Sequence, residues 1–227
     1  MRLTTLHCTM HIHNLSLSNS VLNTFIAEIR DVRIQQDSMR FRRNIERIGE
    51  VLCYELSKTL NYDNKAISTP LGISNVAITT NEIVICSVLR AGLPLHNGVL
   101  NYFDSAESAF ISAYRHHSSP EDFEIIVEYL ACPSLHDKTL ILVDPMLATG
   151  QSLALTYEAL LSFGVPKNLH IISVIGASDG IAFLKTKFPK DTQLWIAAVD
   201  DTLNDKGYIV PGLGDAGDLA FGEKLQH

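Results

Sequence analysis

The chain has 227 residues, 46% hydrophobic and 19% charged; that length supports one sizeable core, and the mixture excludes a disordered or fibrous chain. With 25 acidic against 18 basic residues the formal net charge is −7, and no run of Lys or Arg forms a stripe able to follow a nucleic-acid backbone, so no nucleic-acid partner is expected. No apolar run reaches membrane-spanning length and residues 1–14 lack the apolar block of a signal peptide, which makes the cytosol the expected location.

The start of the chain crowds His7, Cys8, His11 and His13 together. A metal site would need a carboxylate or a second cysteine to complete its ligands, and a loose terminus that merely collects such residues is the simpler alternative. The cysteines Cys8, Cys53, Cys86 and Cys132 show no paired spacing, which argues for buried thiols and against a disulfide framework or zinc knuckle. Residues 20–36 suit a helix, and a second is expected after Asp37 and Ser38, either of which can cap its free N–H groups. Phe41, Ile45, Ile48, Leu52 and Leu56 recur at helical spacing as one apolar face, with Arg40, Arg43, Glu46, Arg47 and Glu50 largely outside it.

Short β-branched runs at 76–79 and 83–89 predict strands, and the rhythm then becomes strand, loop and helix. Further strands are expected at 109–114, 139–143, 170–175 and 194–199, with helices at 152–163 and 180–186. Continuous apolar strands separated by helices predict an α/β chain with a mostly parallel sheet covered on both faces. Ligands of such sheets sit beyond the carboxyl ends of the strands, so the loops leaving Leu89, Val143 and Val199 are where chemistry is expected. Between Tyr114 and Pro133 the pattern of a turn followed by a strand suggests a projecting hairpin able to act as a lid.

The strand at 139–143 runs into Asp144-Pro145-Met146-Leu147-Ala148-Thr149-Gly150-Gln151-Ser152 and then a helix. Loop N–H groups and the positive end of the helix can hold a phosphate there. Gly150 permits close approach, Thr149 and Ser152 offer hydroxyls, and Asp144 can accept hydrogen bonds from two sugar hydroxyls, so a sugar phosphate fits better than phosphate alone. The Gly-x-x-x-x-Gly-Lys-Ser/Thr pattern of nucleoside-triphosphate loops is missing. Spacing alone fits an ordinary Asp-Pro turn equally well.

Arg90 follows a strand and precedes Ala91-Gly92, a turn from which a guanidinium can reach a pyrophosphate; an arginine so placed also fits a surface ion pair. Residues 208–218 hold three glycines and a proline, which cannot continue a helix or a central strand. Backbone N–H and C=O groups of such a loop can match the alternating donors and acceptors of a pyrimidine edge, or they can form a plain surface loop.

Three blocks, VLRAGLPLHNGVL from Val88, ILVDPMLATGQS ending at Ser152 and DDTLNDKGYIVPGLGDAGDLAFG from Asp200, resemble in order the uracil phosphoribosyltransferase family, type I phosphoribosyltransferases. The N-terminal stretch IRDVRIQQDSMRFRRNIERIGEVLCYEL is similar to the family's first helices, so the likeness spans nearly the whole chain. The resemblance implies one phosphoribosyltransferase domain over 1–227, with helices from 20–60 and the segment 200–227 contributing a small hood. It implies transfer of a phosphoribosyl group from phosphoribosyl pyrophosphate to uracil, giving UMP and pyrophosphate in pyrimidine salvage. By the same resemblance Arg90 and Arg115 contact the pyrophosphate and Asp144 with the residues through Ser152 binds the ribose phosphate. Ile209, Gly214, Asp215 and Ala216 hold uracil, Asp215 also lying against the donor sugar. Mg²⁺ is the expected cofactor, held mainly by the donor and water rather than by a protein cage. Asp200 and Asp201 fit either an orienting role toward its hydration shell or plain surface carboxylates. A dimer or higher homo-oligomer is implied.

The chain departs from the family at Gln151, where a second glycine is usual, at Ala131, where a lysine is usual, and in the lid wording RHHSSPED. These changes motivate one alternative, a non-catalytic or weakly catalytic nucleotide-sensing regulator on the same fold. The net charge of −7 argues against an RNA-binding form of it.

Overall fold

The computed structural model describes residues 10–117 and 123–224, with side chains outside 113–127. In chain order the elements are β1 (His11–Asn14), α1 (Leu22–Arg30), α2 (Ser38–Ser57), β2 (Tyr62–Thr69), β3 (Gly72–Thr79), β4 (Ile83–Leu89), α3 (Gly92–Leu100), β5 (Glu107–His117) and β6 (Phe123–Ala131). They continue with β7 (Thr139–Val143), β8 (Met146–Leu147), α4 (Gln151–Leu160), β9 (Asn168–Ala177), α5 (Ser178–Lys187), β10 (Gln193–Asp200), β11 (Thr202–Leu203), β12 (Ile209–Val210) and α6 (Ala216–Phe221).

The main sheet has the order β1-β10-β9-β7-β4-β5-β6, with β8 beside β9. Pairing is parallel except between β5 and β6. Strand direction and side-chain alternation explain the two layers. Ile83 and Ile85 of β4 face the core that holds the buried residues of α2 and α3, while Val84, Cys86 and Val88 face the core under α4 and α5. The expected α/β architecture with a parallel sheet covered on both faces is therefore present.

Helix α2 starts where its cap was expected, since the Asp37 carboxylate accepts from Met39 N and Arg40 N, each at 3.1 Å. Phe41, Ile45, Ile48, Leu52 and Leu56 are all buried, and at roughly 1.5–3 kcal/mol each, an upper bound, they account for much of the docking of this helix on the sheet. Helix α1 differs from the expected 20–36 span. It ends at Arg30, because Asp31 turns to extended backbone and its carboxylate accepts from Arg33 N (2.8 Å) and Ile34 N (3.1 Å), starting a new turn at Ile34–Gln36.

The N-terminal stretch is not loose where it is described. His11–Asn14 forms an edge strand parallel to β10, the His13 ring stacks on Trp195 at 3.7 Å between centroids, and His13 Nε2 lies 2.7 Å from Gln193 Oε1. His7 and Cys8 lie outside the described residues, and no group of three or more metal-ligating side chains occurs among the described ones. Cys53 and Cys86 are buried thiols as expected, with burial raising the Cys53 thiol to about 12, while Cys132 is half-buried.

Only the second strand of the β2–β3 hairpin was expected. The pair lies apart from the main sheet and is solvent-exposed along nearly its whole length, Leu71 at its tip completely so. The projecting hairpin expected between 114 and 133 is formed by β5 and β6, with a register shift between Ser112 and Ala113. No described helix is long and apolar enough to cross a membrane.

Candidate active site

The order of the sheet reverses at β4: its successor β5 lies on one side and the later β7 on the other. Loops leaving the two strands therefore diverge, and the crevice between them is the place where open α/β sheets bind ligands. Arg90 and Asp144 are the residues that follow the two strands. Their proximity is concrete: a side-chain carbon added at Gly92, just after Arg90, would lie 3.0 Å from the carbonyl oxygen of Val143, just before Asp144.

The 144–152 loop is held tightly. Ile172 O accepts from Asp144 N (3.1 Å), while Pro145 O accepts from Val174 N (3.2 Å) and Ile175 N (3.0 Å). Met146–Leu147 adds the short strand β8 to β9, so part of the expected loop is sheet, and the Leu147 side chain is buried in the core. Beyond it Ala148, Thr149, Gln151 and Ser152 remain partly exposed at the start of α4, where the first N–H groups of a helix have no partners within it. Thr149 Oγ1 accepts from Gln151 N at 3.4 Å. Gly150 caps α4 at φ +78°, a conformation that disfavours any side chain. A side-chain carbon at Gly180, near the start of α5, would lie 2.0 Å from Ala148 O. That close approach buttresses the loop from behind, and sequence reasoning did not single out Gly180.

Asp144 is buried, and burial pushes its carboxyl up to about 6 although Met146 N donates to it at 3.1 Å. Asp144 forms no ion pair among the described residues. A buried carboxylate of this kind suits a ligand that brings hydroxyl donors.

Arg90 is exposed and reaches toward the C-terminal segment, its Nη2 2.7 Å from Asp218 Oδ1 and its Nη1 donating to Gly222 O at 3.1 Å. The ion-pair reading of this arginine holds, and its place directly after β4 puts it beside the crevice. Arg115 lies opposite Ile125 in the β5–β6 hairpin; its side chain is outside the described set.

The 209–216 segment begins in β12, which pairs with β11, and ends in α6, so it holds more regular structure than its glycines suggested. The side chains of Ile209 and Ala216 are buried, Gly214 is exposed and Asp215 is half-buried. Asp215 caps α6 through Oδ1, which accepts from Asp218 N at 3.0 Å, and its Oδ2 lies 3.3 Å from Lys224 Nζ. Beside this loop is an open cleft of about 390 Å³ lined by Gln35, Ser38, Leu213, Gly214, Asp215 and Asp218. Asp200 is not a surface carboxylate: it is buried and paired with Arg30, whereas Asp201 is exposed. Arg30, Gln35 and Arg42, whose Nη1 donates to Ala220 O at 2.6 Å, were missed because nothing in local periodicity reveals a partner some 180 residues away.

The hypoxanthine phosphoribosyltransferase of Staphylococcus aureus matches 82% of this chain and 83% of its own with a TM-score of 0.50 at 15% identity, a likeness of fold alone. The AQ2163 protein of Aquifex aeolicus matches 95% of this chain and all of its own, with a TM-score of 0.83 and 30% identity. The fold is thus that of the type I phosphoribosyltransferases. A family model described as uracil phosphoribosyltransferase matches residues 16–223. A protein named uracil phosphoribosyltransferase from Porphyromonas gingivalis is 50% identical over 216 residues, 95% of this chain and 100% of that one, and another from Pyrococcus furiosus is 38% identical over 204 residues, 88% and 86%. The chain belongs to the uracil phosphoribosyltransferase family.

Proposed function

We propose that the crevice between β4 and β7 transfers the 5-phosphoribosyl group of phosphoribosyl pyrophosphate to uracil, forming UMP and pyrophosphate. The bond from the anomeric carbon to the pyrophosphate oxygen breaks, a bond to uracil N1 forms, and the N1 proton leaves. The observation that carries this reading is that, at the carboxyl ends of β4 and β7, the Arg90 turn lies against Val143, just before the buried Asp144 carboxylate, while Arg90 pairs with Asp218, just after the 209–216 loop. The family's activity supports it.

Asp144 orients the ribose hydroxyls, while residues 145–152 hold the 5-phosphate through the start of α4. Arg90 and Arg115 offset charge on the leaving pyrophosphate. Backbone groups of Ile209, Gly214 and Ala216 read the uracil edge, and Asp215 lies against the donor sugar. Because the Ile209 and Ala216 side chains are buried, their contribution to recognition is through the main chain. Mg²⁺ held by the donor's own oxygens and by water would offset charge on the pyrophosphate. Asp200 is engaged by Arg30 and so is not free to hold the ion. The β5–β6 hairpin excludes water as a lid. One catalytic domain with a hood from the N-terminal helices and the 200–224 segment works in the cytosol as a homo-oligomer, and the exposed β2–β3 hairpin is the surface offered for assembly.

The decisive assay combines the protein with uracil, phosphoribosyl pyrophosphate and Mg²⁺. UMP and pyrophosphate in equal amounts are expected; absence of UMP across pH and metal conditions would overturn the proposal.

A further inference from the structure

We propose that Arg30, Asp200 and Gln35 are positioning residues that clamp the backbone just before Gly214 and thereby set the register of uracil recognition. The inference rests on the uracil reading of the 209–216 loop and adds the device that holds it.

Arg30 is the last residue of α1 and Asp200 the last of β10. Their side chains pair bidentately, Nη2 to Oδ1 at 2.8 Å and Nη1 to Oδ2 at 2.9 Å, with relative exposures of 21% and 8%. The pair grips one peptide residue from both sides: Gly212 O accepts from Arg30 Nη1 at 3.1 Å, and Gly212 N donates to Asp200 Oδ2 at 3.1 Å. The next residue is held independently, because the buried Gln35 amide, oriented to donate, lies 2.8 Å from Leu213 O and 3.2 Å from Ile29 O. Three backbone groups of Gly212 and Leu213 are therefore fixed by side chains that come from outside the loop. A short neutral base is recognised by hydrogen bonds whose geometry fails over a few tenths of an ångström, so a loop that reads it must be immobilised from behind.

The break in α1 has its reason in the same arrangement. On an unbroken helix Arg30 and Gln35 would stand about 140° apart around the axis and could not address adjacent residues of one loop. The Asp31 turn redirects the chain, and both side chains converge on 212–213.

The clamp is distinguishable from a merely structural ion pair by what it moves. In Arg30→Met, Asp200→Asn and Gln35→Met the KM for uracil is expected to rise at least tenfold, with the smallest effect in Gln35→Met. The KM for phosphoribosyl pyrophosphate stays within twofold, and the preference for uracil over cytosine falls. Arg30→Lys, which keeps the charge but loses the planar fork, is intermediate. Where a single charge deletion fails to fold because its partner is left buried, Gln35→Met and the double variant Arg30→Met/Asp200→Leu decide the matter. An active wild type whose folded variants keep the uracil KM within twofold, or lose both substrates equally, overturns the clamp. A wild type that makes no UMP overturns instead the functional reading beneath it.

Discussion

Arg90 Nη2 lies 2.7 Å from Asp218 Oδ1, and the same guanidinium donates to Gly222 O, so the arginine assigned to the donor pyrophosphate is held by the C-terminal segment. On the proposed reading, donor binding replaces those contacts. The pair is solvent-exposed, with side-chain exposures of 41% and 29%, and exposed pairs contribute about 0.2–1 kcal/mol. Asp218→Asn is therefore expected to lower the KM for phosphoribosyl pyrophosphate by about 1.4- to fivefold. Arg90→Ala raises it by a far larger factor, and steady-state kinetics with donor as the varied substrate checks both.

Asp144 is expected to link activity and stability in opposite directions. Its carboxyl is raised to about 6 by burial, so between about pH 4 and 6 the folded chain keeps a proton that the unfolded chain releases, and stability falls as pH rises through that window. Above it the cost is roughly 2–3 kcal/mol. Asp144→Asn keeps an acceptor for Met146 N and should melt higher than wild type at pH 8, with the difference vanishing near pH 4, while turnover drops on the order of a hundredfold. Thermal melts at both pH values and an assay at saturating substrates test the two halves separately.

His170 acts with the reverse sign. Burial, together with His13, pushes it down to about 4, and its Nδ1 accepts from Trp195 Nε1 at 3.2 Å. The unfolded chain takes up this proton near 6.5 while the folded one resists, so its contribution is complete above about pH 6.5 and is lost toward pH 4, by roughly 3 kcal/mol. Over pH 4–6 the Asp144 and His170 slopes oppose each other. His170→Gln, which still offers an acceptor to Trp195, should turn stability downward with rising pH across that range; denaturant midpoints measured at half-unit pH steps would reveal a flat profile if the idea is wrong.

Gly180→Ala places a methyl 2.0 Å from Ala148 O. Overpacking of this kind costs about 1–3 kcal/mol, and here the yielding element is the 144–152 loop. The expected result is a lower melting temperature with a tenfold or greater rise in the donor KM and little change in the uracil KM.

On the β2–β3 hairpin Ile73 and Leu71 are exposed. If this arm carries assembly, Ile73→Asp should shift the mass measured by light scattering from oligomer to monomer without unfolding the hairpin's neighbours. An unchanged mass would place the interface elsewhere.

Legibility in the sequence followed local physics. Strand β7 and the loop after it could be read because a buried parallel strand is a continuous apolar run and because Asp37, Gly150 and the Asp-Pro step are local signals of caps and turns. Strand β1 could not, since HIHN contains one apolar residue and is held at the sheet edge by backbone pairing to β10 and by the His13–Trp195 stack. Asp200 was misjudged as a surface carboxylate because its partner Arg30 is 170 positions away. The early end of α1 was missed for a similar reason: Asp31 competes locally with the helix, and residues 31–36 turn away to reach a loop near the other end of the chain.

By itself the sequence determined the class of sheet, the capped α2, the loop that follows β7 and, through its motifs, the family. These depend on neighbours along the chain, where apolar periodicity, capping and turn chemistry act within a few residues. Only the tertiary structure decided which loops share a crevice, that Asp144 is buried and raised in pKa, that Arg90 meets Asp218, and that Arg30, Asp200 and Gln35 hold the 212–213 backbone. Those properties arise from desolvation and from contacts between distant segments, and both exist only once the strand order brings β4 and β7 side by side and α1 and α2 meet the 200–222 segment.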